Sequence, residues 1–358
     1  MIKQRIEKVR EILDKKDLDG ILIGTNDNRA YLAEFFGSSG MILITPTQAC
    51  FATDFRYMEV AKKLESKGYE FIRMDQGLKG VEVLLNRMPK KKNLRLGLEN
   101  VMSYAYFQEI SKLLPEVTLV DIYSDLLEIR SVKDQGELDL LAKAAQIGDI
   151  AFSHLLKTIK VGMTELEVAA ELEYAMKLNG ASYPSFDTIA IFGKKTSMPH
   201  GSPGLVKLKE KDIVTLDFGA NYQGYCSDMT RTFFVGEPDV QLEKIFNIVF
   251  RAQKEAQAFV KAGIEGWEAD KVARDIIADE GYGDYFGHST GHGVGILIHE
   301  EPRLSTSSQT ILKENMVVTV EPGIYVPELG GVRIENTVVV QKDGSYSLNH
   351  SKKDLFTI

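Results

Sequence analysis

Asp217, Asp228, Glu321 and Glu335 stand out in this 358-residue chain as acids whose spacing could do chemistry. Asp217 interrupts the apolar run VTLDFG (214 to 219), and Glu321 interrupts VTVEPG (318 to 323) in the same frame. An ionised carboxylate in a buried strand costs several kcal/mol unless positive charge compensates it, so Lys, Arg or a metal ion must stand nearby. Downstream of Asp217, a turn at Gln223-Gly224 would set Asp228 across a hairpin from it. A turn at Gly330-Gly331 would do the same for Glu335 within VRIENTVVV. Between the two pairs, FGHSTGHGVGILIHE (286 to 300) holds three of the six histidines, His288, His292 and His299. Its glycines 287, 291, 293 and 295 let the backbone come close to a ligand and turn sharply, which would present His292 to the acids with His288 and His299 flanking it. Four carboxylates and one imidazole make a hard, oxygen-rich site for two divalent ions. Mn, Co or Fe suits it better than a zinc site built from Cys and His would. Two such ions and a bridging hydroxide leave the cluster close to neutral, whereas the acids alone would repel one another and raise their pKa values.

The elements that must position these groups lie in the second part of the chain. A helix is expected from about Asp134 to Ile159 and another from Thr164 to Leu178, where TELE offers a capping box with Thr164 as N-cap and Glu167 at N3. Strands follow, then helices at about Val240 to Ala262 and Trp267 to Glu280, then strands again. Helix pair, strands, helix pair, strands describes an internal duplication, with the repeated acid-bearing frame marking equivalent strands. Four carboxylates, two from each half, converge if the halves pack about a pseudo-twofold axis.

The first part alternates short aliphatic strands (20 to 24, 41 to 45, 50 to 54, 94 to 98 and 117 to 122) with helical patterns such as Arg56 to Ser66 and Gly80 to Met88. This is an α/β domain over residues 1–125, followed by a boundary near 123 to 131 and a second domain over 131–358. No histidine precedes His154, so the first domain reads as a support. His154 and His350 read as structural.

Composition narrows the partners. A net charge of -8 and a pI near 5.5 argue against a nucleic-acid surface, and the basic run PKKKNLR (89 to 95) reads as a solvated turn. The opening MIKQRIEKVREIL is an amphipathic helix pattern without the apolar core of a signal peptide. No run approaches the roughly 20 apolar residues that span a bilayer, so no membrane partner and a cytoplasmic setting are expected. Cys50 and Cys226, the only cysteines, suit a reduced compartment as buried small residues.

In the order Asp217, Asp228, His292, Glu321 and Glu335, within LDFGANYQGYCSDMTRTF, GHGVGILIHE, VEPGIY and GVRIEN, the chain resembles the pita-bread metallopeptidases (peptidase family M24). This family includes methionine aminopeptidase, aminopeptidase P, prolidase and creatinase. NRAYLAEFFGSSG and ATDFRYMEVA are similar to the N-terminal domain of the aminopeptidase P, prolidase and creatinase branch. The resemblance implies a creatinase-like α/β domain, then an α+β pita-bread catalytic domain with pseudo-twofold duplication. It implies Asp217, Asp228, His292, Glu321 and Glu335 as ligands of two divalent metals, manganese first, with cobalt, iron and zinc open. Asp228 and Glu335 would reach both ions, a metal-bridging hydroxide would be the nucleophile, and Glu321 would handle its proton. His200 in SMPHGSP and His299 match substrate-contacting histidines. His288 is a further pocket candidate, and Arg333 would orient an acid. A homodimer is implied too.

The implied substrates are small Xaa-Pro peptides. Proline lacks the amide N–H that general peptidases use for alignment, so its bond needs a dedicated pocket. Creatinase-type chemistry does not use the dinuclear site that this chain retains, and methionine aminopeptidase lacks a domain like residues 1–125. Arg303 in HEEPR can pair with the free carboxylate of a dipeptide, which favours an Xaa-Pro dipeptidase (prolidase) over aminopeptidase P. An inactive peptide- or protein-binding descendant is a third reading, which the intact ligand set disfavours.

Overall fold

The computed structural model describes residues 1–75 and 81–358, and the chain divides into two compact units, Met1–Arg130 and Ser131–Ile358. In the first unit, helix α1 (Ile2–Lys16) buries Ile2, Ile6, Val9, Ile12 and Leu13 along one face. Strand β1 (Gly20–Ile23) leads to α2 (Asn26–Ala33), then to β2 (Met41–Ile44) and β3 (Ala49–Thr53). These three strands are buried throughout, which is why they read as continuous apolar runs. Next come α3 (Met58–Lys63) and β4 (Glu70–Arg73); β4 buries only Ile72 and escaped the apolar-run criterion. The pattern at Arg56 to Ser66 is no single helix, because short 3-10 turns flank α3. Then follow α4 (Val81–Leu85), β5 (Arg95–Leu98), α5 (Tyr104–Leu113), β6 (Thr118–Asp121) and α6 (Tyr123–Ser131). The helix expected from Gly80 is thus described from Val81 on; Gly80 lies outside the described residues. The sheet order is β4-β3-β2-β1-β5-β6, mixed parallel and antiparallel.

The second unit opens with α7 (Gln135–Thr158) and α8 (Glu165–Leu178). Both start with complete capping boxes, Asp134 with Glu137 and Thr164 with Glu167, satisfying donors that a helix start leaves unpaired. Six strands follow: β7 (Tyr183–Pro184), β8 (Ile189–Phe192), β9 (Ile213–Phe218), β10 (Ala220–Tyr222), β11 (Tyr225–Cys226) and β12 (Met229–Phe234). A second helix pair, α9 (Val240–Phe259) and α10 (Gly266–Asp279), is followed by β13 (Gly291–Gly293), β14 (Glu300–Leu304), β15 (Val317–Val320) and β16 (Gly323–Val326). The chain closes with β17 (Gly330–Arg333), β18 (Asn336–Gln341) and β19 (Gly344–Ser347).

The duplication is visible in the pairing. Strands β8, β9 and β12 lie side by side after the first helix pair, and β13, β15 and β18 lie side by side after the second, all antiparallel. Each half packs its helix pair on its own strands, Phe152 and Leu172 on Leu216 and Phe233, Val249 and Ala273 on Val318 and Val338. The halves join where Thr232 Oγ1 donates to Arg333 O and Thr337 Oγ1 donates to Asp228 O, at 2.8 and 2.9 Å.

Two local expectations change. Asp217 faces Thr230 rather than Asp228, because the small β10–β11 hairpin is inserted between β9 and β12. Its turn is Gln223-Gly224, both at positive φ, as a two-residue hairpin turn requires. In the second half the turn is at residues 327–329, with Glu328 at φ 63°, and Gly330-Gly331 already belong to β17.

One buried ion pair ties the start of this unit to the segment ahead of β14. Lys133 Nζ and Glu300 Oε2 are 3.1 Å apart with side chains 1% and 4% exposed, and Glu300 Oε1 accepts from Leu297 N. Removing one partner strands a buried charge, whereas removing both is far milder. Lys133→Met is therefore expected to cost about 3 kcal/mol and lower the melting temperature by roughly 6–12 °C, and adding Glu300→Leu to recover more than half of that loss. Differential scanning calorimetry checks both.

Candidate metal centre and its cavity

Strand ends deliver the acids. Asp217 is the fifth residue of β9, Asp228 directly precedes β12, Glu321 directly follows β15, and Glu335 directly precedes β18. His292 sits in the middle of β13, where glycines on either side admit neighbouring backbone. A Cβ at Gly291 would lie 1.9 Å from Thr319 O, and one at Gly293 would lie 2.3 Å from Glu301 O. Gly287 meets nothing within 4 Å, so close approach does not explain that glycine.

Asp228, His292 and Glu335 offer ligand atoms within 4.8 Å of one another, all three residues buried. His292 Nε2 is 3.2 Å from Glu321 Oε1 and 3.6 Å from Asp228 Oδ2. On the other side of its ring, Nδ1 lies 3.0 Å from Gly293 O, a contact that places a proton on Nδ1 and turns Nε2 towards the acids. Thr319 Oγ1 accepts from His292 N and donates to Glu321 Oε1, fixing both groups.

Arg333 links Asp217 to the rest. Its Nη2 donates to Asp217 Oδ2 at 2.6 Å, its Nε to Thr230 Oγ1 at 3.1 Å, and its Nη1 to the Tyr325 hydroxyl at 2.8 Å. Thr230 then donates to Glu335 Oε2 at 2.7 Å, and Tyr325 donates to His288 Nε2 at 2.9 Å. A neutral His288 accepts that bond, and burial keeps its pKa low.

One arginine does not neutralise this cluster. Burial, then the charges of Glu335, Asp217 and Glu321, push the Asp228 carboxyl well above the usual carboxylate range. Burial and the neighbouring acids do the same to Glu335. Burial also raises Asp217, although Arg333 opposes it. Burial would raise Glu321 too, but the hydrogen bond and charge of His292, helped by His288 and Arg333, hold it down at about 2. Asp217 Oδ1 and Glu335 Oε1 are buried without a hydrogen-bond partner. Buried acceptors are rarely left so, and two of them in one acid cluster fit divalent cations.

The cluster opens on a cavity of about 630 Å³. His200, His288, His299 and Arg303 line it, together with Phe186, Asp187 and Ile298. The His299 ring packs edge-on against His292 with centroids 4.4 Å apart, and burial followed by the charges of His292 and Arg303 lowers its pKa. His200 lies on a loop that Glu165 and Lys195 hold: Lys195 Nζ donates to Glu165 Oε2 at 2.6 Å and to Ser202 O at 2.7 Å, while Gly204 N donates to the same Glu165 oxygen. The structure thus gathers every residue singled out as a site candidate. Thr230, Thr319 and Tyr325 were not singled out; Tyr325, two residues past the glycine of VTVEPG, alone carried a positional hint. His154 and His350 line a separate groove with Tyr174. Among the described residues, no helix is long and apolar enough to cross a membrane.

Comparison with known proteins agrees with this architecture. The chain matches metallopeptidase family M24 over residues 139–342 and the creatinase/prolidase N-terminal domain over residues 5–132. It is 38% identical to the Xaa-Pro dipeptidase of Pyrococcus horikoshii, covering 99% of each chain. Among solved structures it is similar to an Xaa-Pro dipeptidase from Bacillus anthracis, with TM-score 0.94 and 40% identity over 100% of both chains. It is also similar to an X-Pro aminopeptidase from Thermotoga maritima, with TM-score 0.88 and 34% identity over 96% of this chain and 98% of that one.

A cation bound only by the folded cluster stabilises it, by about 2.7 kcal/mol at a hundred times its Kd. Titrating Mn²⁺ into chelator-treated protein is expected to raise the melting temperature. Asp228→Asn is expected to remove that rise, the bound metal counted by elemental analysis, and peptide turnover. Wild-type turnover in Asp228→Asn would take Asp228 out of the site.

Proposed function

Since the chain belongs to metallopeptidase family M24, we propose that it is a metal-dependent exopeptidase cleaving Xaa-Pro bonds, and specifically an Xaa-Pro dipeptidase. The convergence of five ligand-type side chains, two of them with unpartnered buried oxygens, on a cavity lined by His200, His299 and Arg303 carries this reading. Its relatives bearing that activity in their names support it.

Asp217, Asp228, His292, Glu321 and Glu335 would hold two divalent cations, manganese by preference and cobalt, iron or zinc as alternatives. When bound, such ions polarise a carbonyl and make water acidic enough to ionise near neutral pH. The chain's own groups do the rest. Glu321, held ionised, takes a proton from the attacking water and returns it to the prolyl nitrogen as the C–N bond breaks. His299, kept neutral by burial, donates to the carbonyl oxygen as negative charge develops there, with His200 beside it. Arg333 anchors Asp217 and, through Tyr325, the ring of His288. Phe186 and Ile298 offer the prolyl ring an apolar wall.

Arg303 selects the dipeptide. It lies opposite His292 in the β13–β14 pairing and lines the same cavity, where a guanidinium can take a free prolyl carboxylate through two hydrogen bonds. The second reading is an Xaa-Pro aminopeptidase acting on longer peptides, favoured by the likeness to the Thermotoga maritima enzyme. A homodimer and a cytoplasmic setting complete the proposal, the former open to light scattering.

Hydrolysis of Leu-Pro beside a longer peptide beginning Leu-Pro separates the two. The dipeptide is expected to be cleaved with the higher kcat/KM, and Arg303→Ala to raise its KM about ten-fold, a loss typical of one charge-assisted contact. Faster release of leucine from the longer peptide, insensitive to Arg303→Ala, would make the enzyme an aminopeptidase.

A further inference from the structure

Helix α10 carries a part-buried ion pair directed at the segment bearing His288. Asp270 is 1% exposed, and Arg274, one turn on, meets it through Nε at 2.8 Å and Nη2 at 2.9 Å. The same guanidinium donates to Phe286 O at 3.0 Å and to His288 O at 2.8 Å, with its carbon 4.3 Å from the Phe286 ring centroid. Asp270 Oδ1 in turn accepts from Thr290 N at 3.0 Å and from Thr290 Oγ1 at 2.9 Å. Residues 286, 288 and 290 are therefore all tied to one pair on one helix. Thr290 O accepts from Glu321 N at 2.7 Å, which carries the tie to the acid cluster.

We propose that Asp270 and Arg274 are positioning residues that set the place of His288, and hence the rate of the reaction; this rests on the peptidase reading above. The segment they hold precedes β13 and has no strand partner of its own. His288 meets Tyr325 through Nε2 at 2.9 Å, and its backbone is fixed by Arg274 rather than by a sheet. A displacement of about 1 Å would break the Tyr325 contact, and misplacements of that size cost on the order of a hundred-fold in rate. A pair needed only for helix stability would sit at the surface with solvent-facing partners. Here both members spend their remaining hydrogen bonds on the histidine segment. Arg274 is suited to this because its planar fork serves the carboxylate and two carbonyls at once, which a lysine cannot do.

A double-mutant cycle with His288→Ala tests the role. Arg274→Ala is expected to lower kcat for Leu-Pro ten- to a hundred-fold with KM changed less than about two-fold, and to cost less than about two-fold in the His288→Ala background. Arg274→Lys, which keeps the charge and the pairing with Asp270, is expected to restore melting temperature but not kcat, and it replaces the alanine variant in the cycle should that fail to fold. Equal losses in both backgrounds would overturn the proposal. Histidine side-chain NMR supplies a readout independent of turnover: Arg274→Lys should shift the His288 ring resonance and leave those of His154 and His350 in place. An unmoved His288 resonance would also overturn it. Wild-type protein inert on every Xaa-Pro peptide would sink the peptidase reading, while the resonance shift would still decide the positioning role.

Discussion

Four carboxylates brought together out of water are the constraint on which the catalytic unit is built. Arg333, whose guanidinium reaches the Asp217 carboxylate, is shared between Asp217, Thr230 and Tyr325. The fold must hold the acids at close quarters against their mutual repulsion, which it does by placing each at the end of, or inside, a fully paired strand. The hydroxyls of Thr230 and Thr319 then act as rigid spacers, each bonded to one acid and to one cationic or backbone donor. Divalent cations of the kind family M24 implies would supply the missing charge.

A second pattern governs the rim. Three histidines that line the cavity beside His292, namely His200, His288 and His299, lie in stretches that lack strand partners of their own, and each stretch is clamped by a buried or half-buried pair of opposite charge. Glu165 and Lys195 hold the first, Asp270 and Arg274 the second, and Lys133 and Glu300 the third. Such pairs add little net stability over apolar packing, but they fix geometry through the extra backbone groups they bind. A cavity that several histidine rings must line in fixed places gains more from that fixity than from a larger core.

Much of this was legible in the sequence for a physical reason: an acid inside an apolar run is a conflict that only function resolves. VTLDFG and VTVEPG advertised the acid cluster, and TELE advertised a helix start. The clamps were not legible, because Asp270 with Arg274 reads as an ordinary i,i+4 surface pair until tertiary structure buries it. Lys133 and Glu300 are distant in sequence, and nothing local marks them as partners. Strand β4 escaped because only one of its residues is buried, and the turn in the second half was misplaced because paired glycines signal a bend more loudly than Glu328 does, although Glu328 adopts the positive φ. Glycines 291 and 293 are required by the approach of neighbouring backbone at Thr319 and Glu301, not by a ligand, and Gly287 meets neither.

The duplication has one further consequence. A half-chain of one helix pair and three strands would own two of the acids and could reach the other two only by associating with its own copy, so its centre would be symmetric by necessity. Covalent fusion removes that necessity. At the step where Ile191 faces Thr215 in the first half, the second half places His292 beside Thr319. The lone imidazole is a departure from symmetry that identical subunits could never have evolved separately, and under the proposed ligand set it would give the two cation positions unequal chemistry in a fold that repeats itself.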